Sequence, residues 1–227
     1  SPFFRPLMEA FGAVNVEKVG FEADDVIGTL ARQGFVSPTQ LDNERLALAA
    51  AQHDVQPRRL QALDARDLLD GLRDKVEDIE SALAYISGTG GNAKQVFYRS
   101  PELTLLKVRF PSGRRTPPHN HGTWANILLL SGEEKNTLYR NDNGKLTRAS
   151  EVTLTRGKVL PMRGETVHVA ECVGPVPAVG LHVYGGDIFE LPRHMWNPQT
   201  LAAHPLDWTL YESFAKAASA AASAPTT

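Results

Sequence analysis

The stretch TPPHNHGTWANILLLSGEEKNTLY, residues 116–139, places His119 and His121 one residue apart, after two prolines and ahead of an apolar run. In extended backbone alternate side chains share a face, so two imidazoles spaced this way can hold one metal ion. A third ligand must come from another strand. His168 in ETVHVAEC and His182 in GLHVYGG both stand in strand-like runs and are both candidates. His53, His194 and His204 lie in helical or loop-like sequence and read as surface or structural residues.

The elements that would position these side chains are legible as changes of period. Residues 95–205 alternate short β-branched and aromatic runs with turn signals: QVFYR, LTLLKVRF, ANILLL, KNTLYR, KLTRASEVTL, KVLPM, ETVHVAECV and AVGLHVYG. Ser131-Gly132, Asn143-Gly144, Arg156-Gly157 and Gly174-Pro175 break the runs, as in an all-β barrel or sandwich. Asn143-Gly144 is a hairpin signal, because both residue types tolerate positive φ. Ahead of this, residues 37–94 are rich in Leu, Ala, Asp, Glu and Arg with three- and four-residue apolar spacing, which predicts helices packed on the barrel and ended by SGTGG at 87–91. Residues 1–36 form a separate helical appendage bounded near Pro38. Residues 206–227 read as a short helix running into a small-residue tail, the last ten residues of which are expected to be disordered.

Bulk composition narrows the partners. A chain of 227 residues with 42% hydrophobic content can bury a sizeable core. A net charge of -2 with interspersed signs gives no field for nucleic acid or an anionic membrane, so a small-molecule or protein partner is expected. The single cysteine, Cys172, excludes an internal disulfide and fits a reducing, cytoplasmic setting. The first residues, SPFFRPLMEAFG, lack a secretory pattern, and no apolar stretch approaches a membrane span. The helix-rich N-terminal half could support a homo-oligomer.

Gly113, five residues, His119-x-His121 and a closing Gly132 are similar to the first motif of the cupin superfamily. That motif places a Glu at the position of Ala125, with Asn126 its neighbour, and neither is acidic here. A neutral three-imidazole face leaves a bound Fe(II) its full charge and open positions, so an anionic thiolate can bind beside O2. This ligand set resembles that of the thiol dioxygenases, the family of cysteine dioxygenase and 3-mercaptopropionate dioxygenase, over residues 95–190. ETVHVAE is similar to the family's second motif, which implies His168 as the third ligand. GLHVYGG is similar to its Ser-x-His-x-Tyr segment, which implies that His182 and Tyr184 form an outer relay beside the substrate. Gly180 stands where the family has Ser, which leaves a dyad. VFYRSPELTLLKV is similar in position to an early strand that bears a substrate-carboxylate arginine; Arg99 matches it, with Phe97 where a Tyr would stand. Asn126 also matches the site of a crosslinking cysteine in some relatives, so no such crosslink is expected. Cys172 is expected to be a small buried residue, and Trp124 and Trp196 to serve the pocket wall or the core.

The resemblance therefore implies a cupin double-stranded β-helix with N-terminal helices and a short C-terminal helix. It also implies Fe(II) as cofactor, with a small organic thiol and O2 as partners and a sulfinate as product. Another metal-dependent cupin enzyme acting on a non-thiol substrate, or a non-catalytic cupin that binds a metal or ligand, are the alternatives. Separately, residues 8–33, including VGFEADDVIGTLARQ, resemble the acidic helix of the 5' nuclease domain attached to bacterial DNA polymerase I, with Glu22, Asp24 and Asp25 as its acids. The Asp-bearing GDKD-like strand that follows in that family is missing from residues 37–56, SPTQLDNERLALAAAQHDVQ, so the segment reads as a helical appendage with a solvated acidic face.

Overall fold

The computed structural model describes residues 62–85, 89–142 and 144–222. The expected N-terminal appendage with Glu22, Asp24 and Asp25, the expected helical region before residue 62, residues 86–88, Asn143 and the last five residues lie outside the described residues. Two helices open the described chain, α1 (Ala62–Leu72) and α2 (Val76–Tyr85), joined by a 3-10 turn, Arg73–Lys75. Eleven strands follow: β1 (Thr89–Gly91), β2 (Lys94–Arg99), β3 (Thr104–Phe110), β4 (Ala125–Ser131), β5 (Glu133–Asp142), β6 (Lys145–Thr155), β7 (Val159–Met162), β8 (Val167–Cys172), β9 (Ala178–Tyr184), β10 (His194–Trp196) and β11 (Ala203–Pro205). Helix α3 (Trp208–Ala222) completes the described chain.

The strands form a six-stranded sheet in the order β1-β2-β3-β9-β4-β7, a three-stranded sheet β6-β5-β8 and a β10-β11 ribbon. All pairings within them are antiparallel. In this order β9 inserts between β3 and β4, the crossover that wraps a jelly roll into the cupin double-stranded β-helix. Burial explains why β4 reads as an unbroken apolar run rather than as alternation. Its Ala125, Ile127 and Leu129 join the barrel interior with Leu106, Val108, Leu154, Leu160, Met162, Cys172, Ala178 and Tyr184. Its Leu128 and Leu130 face the other way, into a second cluster with Leu105, Leu181, Val183 and the helical residues Ala65, Leu69, Val76, Ile79 and Leu83. Helices α1 and α2 thus cover the outside of the large sheet, and each large apolar side chain so buried contributes about 1.5–3 kcal/mol.

Gly132 lets β4 turn into β5. Its φ is 77°, and a Cβ there would stand 2.4 Å from the carbonyl oxygen of Pro177. Strands β5 and β6 pair to their ends, Asp142 opposite Lys145, with Gly144 at φ 93° where the hairpin signal falls.

Two features differ from the sequence reading. The His-x-His segment is not a regular strand; His119 makes isolated antiparallel bridges to His168 on one side and Met195 on the other. Helix α3 continues to Ala222, into the stretch expected to be disordered, because Ala215 and Ala218 pack inward and Ser219 Oγ accepts from Arg115 N at 2.8 Å. Among the described residues no helix is long and apolar enough to cross a membrane.

Candidate metal centre

The two bridges around His119 assemble the site. His119 N donates to His168 O at 3.0 Å and His168 N returns the bond at 2.9 Å, so the two residues sit directly opposite each other. On the other flank Asn120 N donates to His194 O and Trp196 N to Pro118 O, at 3.1 and 2.8 Å, which pins the same segment to β10. The result is a buried triad: His119, His121 and His168 are 7%, 2% and 2% exposed, and one ligand atom from each lies within 4.8 Å of the others.

These three side chains fit a metal ion on their own chemistry. His119 Nδ1 donates to Pro117 O at 3.0 Å, and His168 Nδ1 donates to Asn136 Oδ1 at 2.8 Å. A proton fixed on Nδ1 leaves Nε2 as the bare ligand atom. His168 Nε2 and His121 Nδ1 are buried without a hydrogen-bond partner, the state expected of ligand nitrogens. Burial is the main reason that His119 is depressed to about 4 and that His121 and His168 fall well below the usual histidine range. All three are therefore neutral, as ligation requires. Ala125, 1% exposed, is on the interior face of β4 where the cupin motif carries its carboxylate, while Asn126 alternates to the opposite face. The donor set is three imidazoles, and the group could hold a metal ion.

His182 stays outside this group. Its Nδ1 lies 2.9 Å from the Tyr184 hydroxyl, with both residues buried, and the Tyr184 ring is centred 5.2 Å from that of His121. Gly180 makes this possible. A Cβ at position 180 would stand 2.9 Å from His182 Nε2, so the ring lies back over the space that a larger residue would fill. Nε2 itself has no hydrogen-bond partner. Burial depresses His182 to about 3 and pushes the Tyr184 phenol up, so both are neutral.

Arg99 does not join the site, which corrects the expectation that it clamps a substrate carboxylate. It is exposed at the end of β2, where its guanidinium meets Asp187 at 2.8 Å and Glu190 at 2.9 Å and stacks on Phe189 at 4.9 Å. Both carboxylates already occupy its donor fork. Besides Lys94, the cation whose charge reaches the histidines is Arg193. It is 9% exposed, and among the described residues no carboxylate pairs with it. Its charge acts on His119, His121, Tyr184 and Tyr211. Nothing in the local sequence LPRHMW marks it; only the pairing of β10 with the His119 segment brings it inward.

Helix α3 closes this side. Tyr211 sets its ring edge-on to His119 at 5.5 Å, and Trp208 lies under both Lys94 (4.2 Å) and Arg193 (5.1 Å). Burial and then the neighbouring Arg193 lower the Lys94 amine to about 8. An Arg114–Glu212 ion pair, in which one guanidinium nitrogen donates to both carboxylate oxygens at 2.9 and 2.8 Å, fastens the helix to the barrel. Cys172 is a buried core residue whose thiol faces Val176 O at 3.4 Å. Trp124 packs against the outer cluster, and Trp196 is buried with Leu146 and Val167.

No family model and no curated protein matches the chain. Solved structures similar to it include cupins. An RmlC-like cupin family protein from Methanocaldococcus jannaschii is 13% identical, with 44% of this chain and 87% of that one covered at a TM-score of 0.36. A cupin superfamily protein from Desulfitobacterium hafniense is 16% identical, with 44% and 83% covered at 0.35. Hydroquinone 1,2-dioxygenase from Sphingomonas is 11% identical, with 45% and 71% covered at 0.37. Likeness at this level carries no argument about chemistry, and the fold rests on the strand order of the chain itself.

Proposed function

We propose that this protein is an iron(II)-dependent thiol dioxygenase that converts a small, carboxylate-bearing organic thiol to its sulfinate with O2. The observation that carries the reading is a buried, neutral three-histidine cluster beside a tyrosine, Tyr184, whose hydroxyl lies 2.9 Å from His182 Nδ1. His119, His121 and His168 would hold the iron. Bound there, Fe(II) supplies open positions for a thiolate and O2 and the electrons that start sulfur oxidation.

The chain's own residues bind and orient. Arg193 offers an unpaired planar fork to a substrate carboxylate, from a setting dry enough to strengthen the bond. Its backbone is fixed by the bond from Leu206 N to Arg193 O at 2.9 Å. A buried N–H with no acceptor is the rarer state in proteins, so the partnerless Nε2 of His182 carries no proton and Nδ1–H donates to the Tyr184 oxygen. The Tyr184 O–H is then left to donate to substrate. Tyr211, Trp208 and α3 exclude bulk water from the same side.

Oxygen uptake by the Fe(II)-reconstituted protein, measured against thiols with and without a carboxylate, tests this reading. Stoichiometric sulfinate with a preference for acidic thiols is the expected result. Absence of uptake with any thiol, with iron shown to be bound, would mean that the three histidines serve a non-thiol substrate or only bind.

A further inference from the structure

Strand β5 carries a buried acid that the site described so far does not use. Glu134 is 1% exposed, and among the described residues no Lys, Arg or His pairs with it. Its neighbours across the sheet are Leu154 on β6 and Cys172 on β8, both members of the interior cluster. Glu134 Oε1 accepts from Asn136 Nδ2 at 2.8 Å, and the same amide accepts from His168 Nδ1 through Oδ1, also at 2.8 Å. Asn136 is fully buried. Three dry side chains thus run from a carboxyl group to a metal-ligating imidazole, and both links are short.

We propose that Glu134 is a positioning residue for the metal centre, acting through the Asn136 amide to orient His168 and to set how strongly His168 Nε2 donates to a metal ion. When the amide N–H is drawn toward a carboxylate, electron density moves onto Oδ1. The bond from His168 Nδ1–H then strengthens and Nε2 becomes a better donor. Because Ala125 removes the carboxylate from the ligand set, Glu134 places a negative charge farther out, where it tunes the centre without occupying a coordination position. The inference rests on the three histidines holding a metal ion and does not depend on which substrate is oxidised.

Burial raises the Glu134 carboxyl to about 7, so its charge changes close to neutrality. The groups facing it are few. Asn136 lies on its own strand, Cys172 on β8 and Leu154 on β6, and from β9 the Tyr184 phenol feels its charge. None is a cation. As pH rises through about 7, Glu134 ionises and the link to His168 tightens.

The test uses Co(II) affinity by competition titration at about pH 6 and about pH 8, together with the His168 Nδ1–H resonance of the Zn(II)-loaded, ¹⁵N-histidine-labelled protein. Glu134→Gln keeps the shape and removes the charge. Expected are roughly tenfold weaker Co(II) binding at the higher pH, little change at the lower, and an Nδ1–H resonance shifted upfield that no longer moves with pH. Asn136→Ala, which breaks the chain, should weaken binding about 10–100-fold at both. Equal loss by Glu134→Gln at both pH values would reduce the residue to packing and overturn the proposal. So would a wild-type resonance that shows no titration between the two, a result that needs no variant. Failure of the wild-type protein to bind Co(II) at the histidines would instead overturn the metal centre itself, and the proposal with it.

Discussion

Arg193→Met separates binding from stability with opposite signs. Arg193 as a residue is 9% exposed and has no carboxylate partner among the described residues, and burial lowers its pKa, so its charge costs folding free energy that a substrate carboxylate would later recover. A bidentate contact supplies two charge-assisted hydrogen bonds of about 1.5–3 kcal/mol each. After the cost of drying the carboxylate, about 3 kcal/mol of anchoring remains, or about 100-fold in KM. Leaving a polar group unpaired in a dry site costs about 1–3 kcal/mol, partly offset by about 0.5–2 kcal/mol from the stack on Trp208. Methionine keeps the packing on the indole and sheds the charge. The variant should therefore gain about 1 kcal/mol, a rise of about 2–4 °C in Tm for a chain of this size, while KM for acidic thiols rises about 100-fold. Steady-state oxygen uptake with matched acidic and neutral thiols, alongside thermal unfolding, reads both quantities. An equal rise in KM for both thiols, or a Tm that falls, would refute the assignment of Arg193 as the carboxylate anchor.

Gly180→Ala should push the His182 ring off its position and break the bond to Tyr184; about 1–3 kcal/mol of stability and most of the turnover should go, with iron content by metal analysis unchanged. Gly132→Ala meets both a positive φ and the Pro177 carbonyl, and its thermal unfolding should show a loss of at least about 2 kcal/mol. The metal-free protein should lose stability on acidification. His119 at about 4 and His182 at about 3 bind protons less readily folded than unfolded, so each subtracts up to about 1.4 kcal/mol per pH unit from 6.5 downward until its folded value is reached. Denaturant titrations across that range would check the slope, and a flat profile would show that the histidines are wet. Glu134 has the opposite sign: its stabilisation is whole below 4.5 and lost as pH rises through about 7, so metal-free Glu134→Gln should overtake the wild type in Tm above neutrality.

How much of this was legible in the chain depends on the range of the interaction. The β-runs from QVFYR to AVGLHVYG each became a strand, because period and turn glycines are local properties. His119, His121 and His168 came together because a two-residue spacing and a strand-borne partner are also readable in one dimension. Arg99 misled because position along a strand does not reveal that Asp187 and Glu190, 88 and 91 residues on, occupy its donors. Arg193 and Glu134 were invisible for the complementary reason. A charged residue is ordinarily on the surface, and only three-dimensional pairing shows the ones that have been drawn inside.

Helix α3 has a bearing on how the protein matures. The chain leaves the ribosome from its N-terminus, so His119, His121 and strands β4 through β10, which include His168, emerge before Trp208 and Tyr211 are made. During translation the nascent barrel can meet a metal ion with that flank still bare. Once the helix docks, the Arg114–Glu212 clasp and the Tyr211 edge against His119 turn the same flank into a wall. Loading before closure and exchange after it are then two different kinetic regimes of one site.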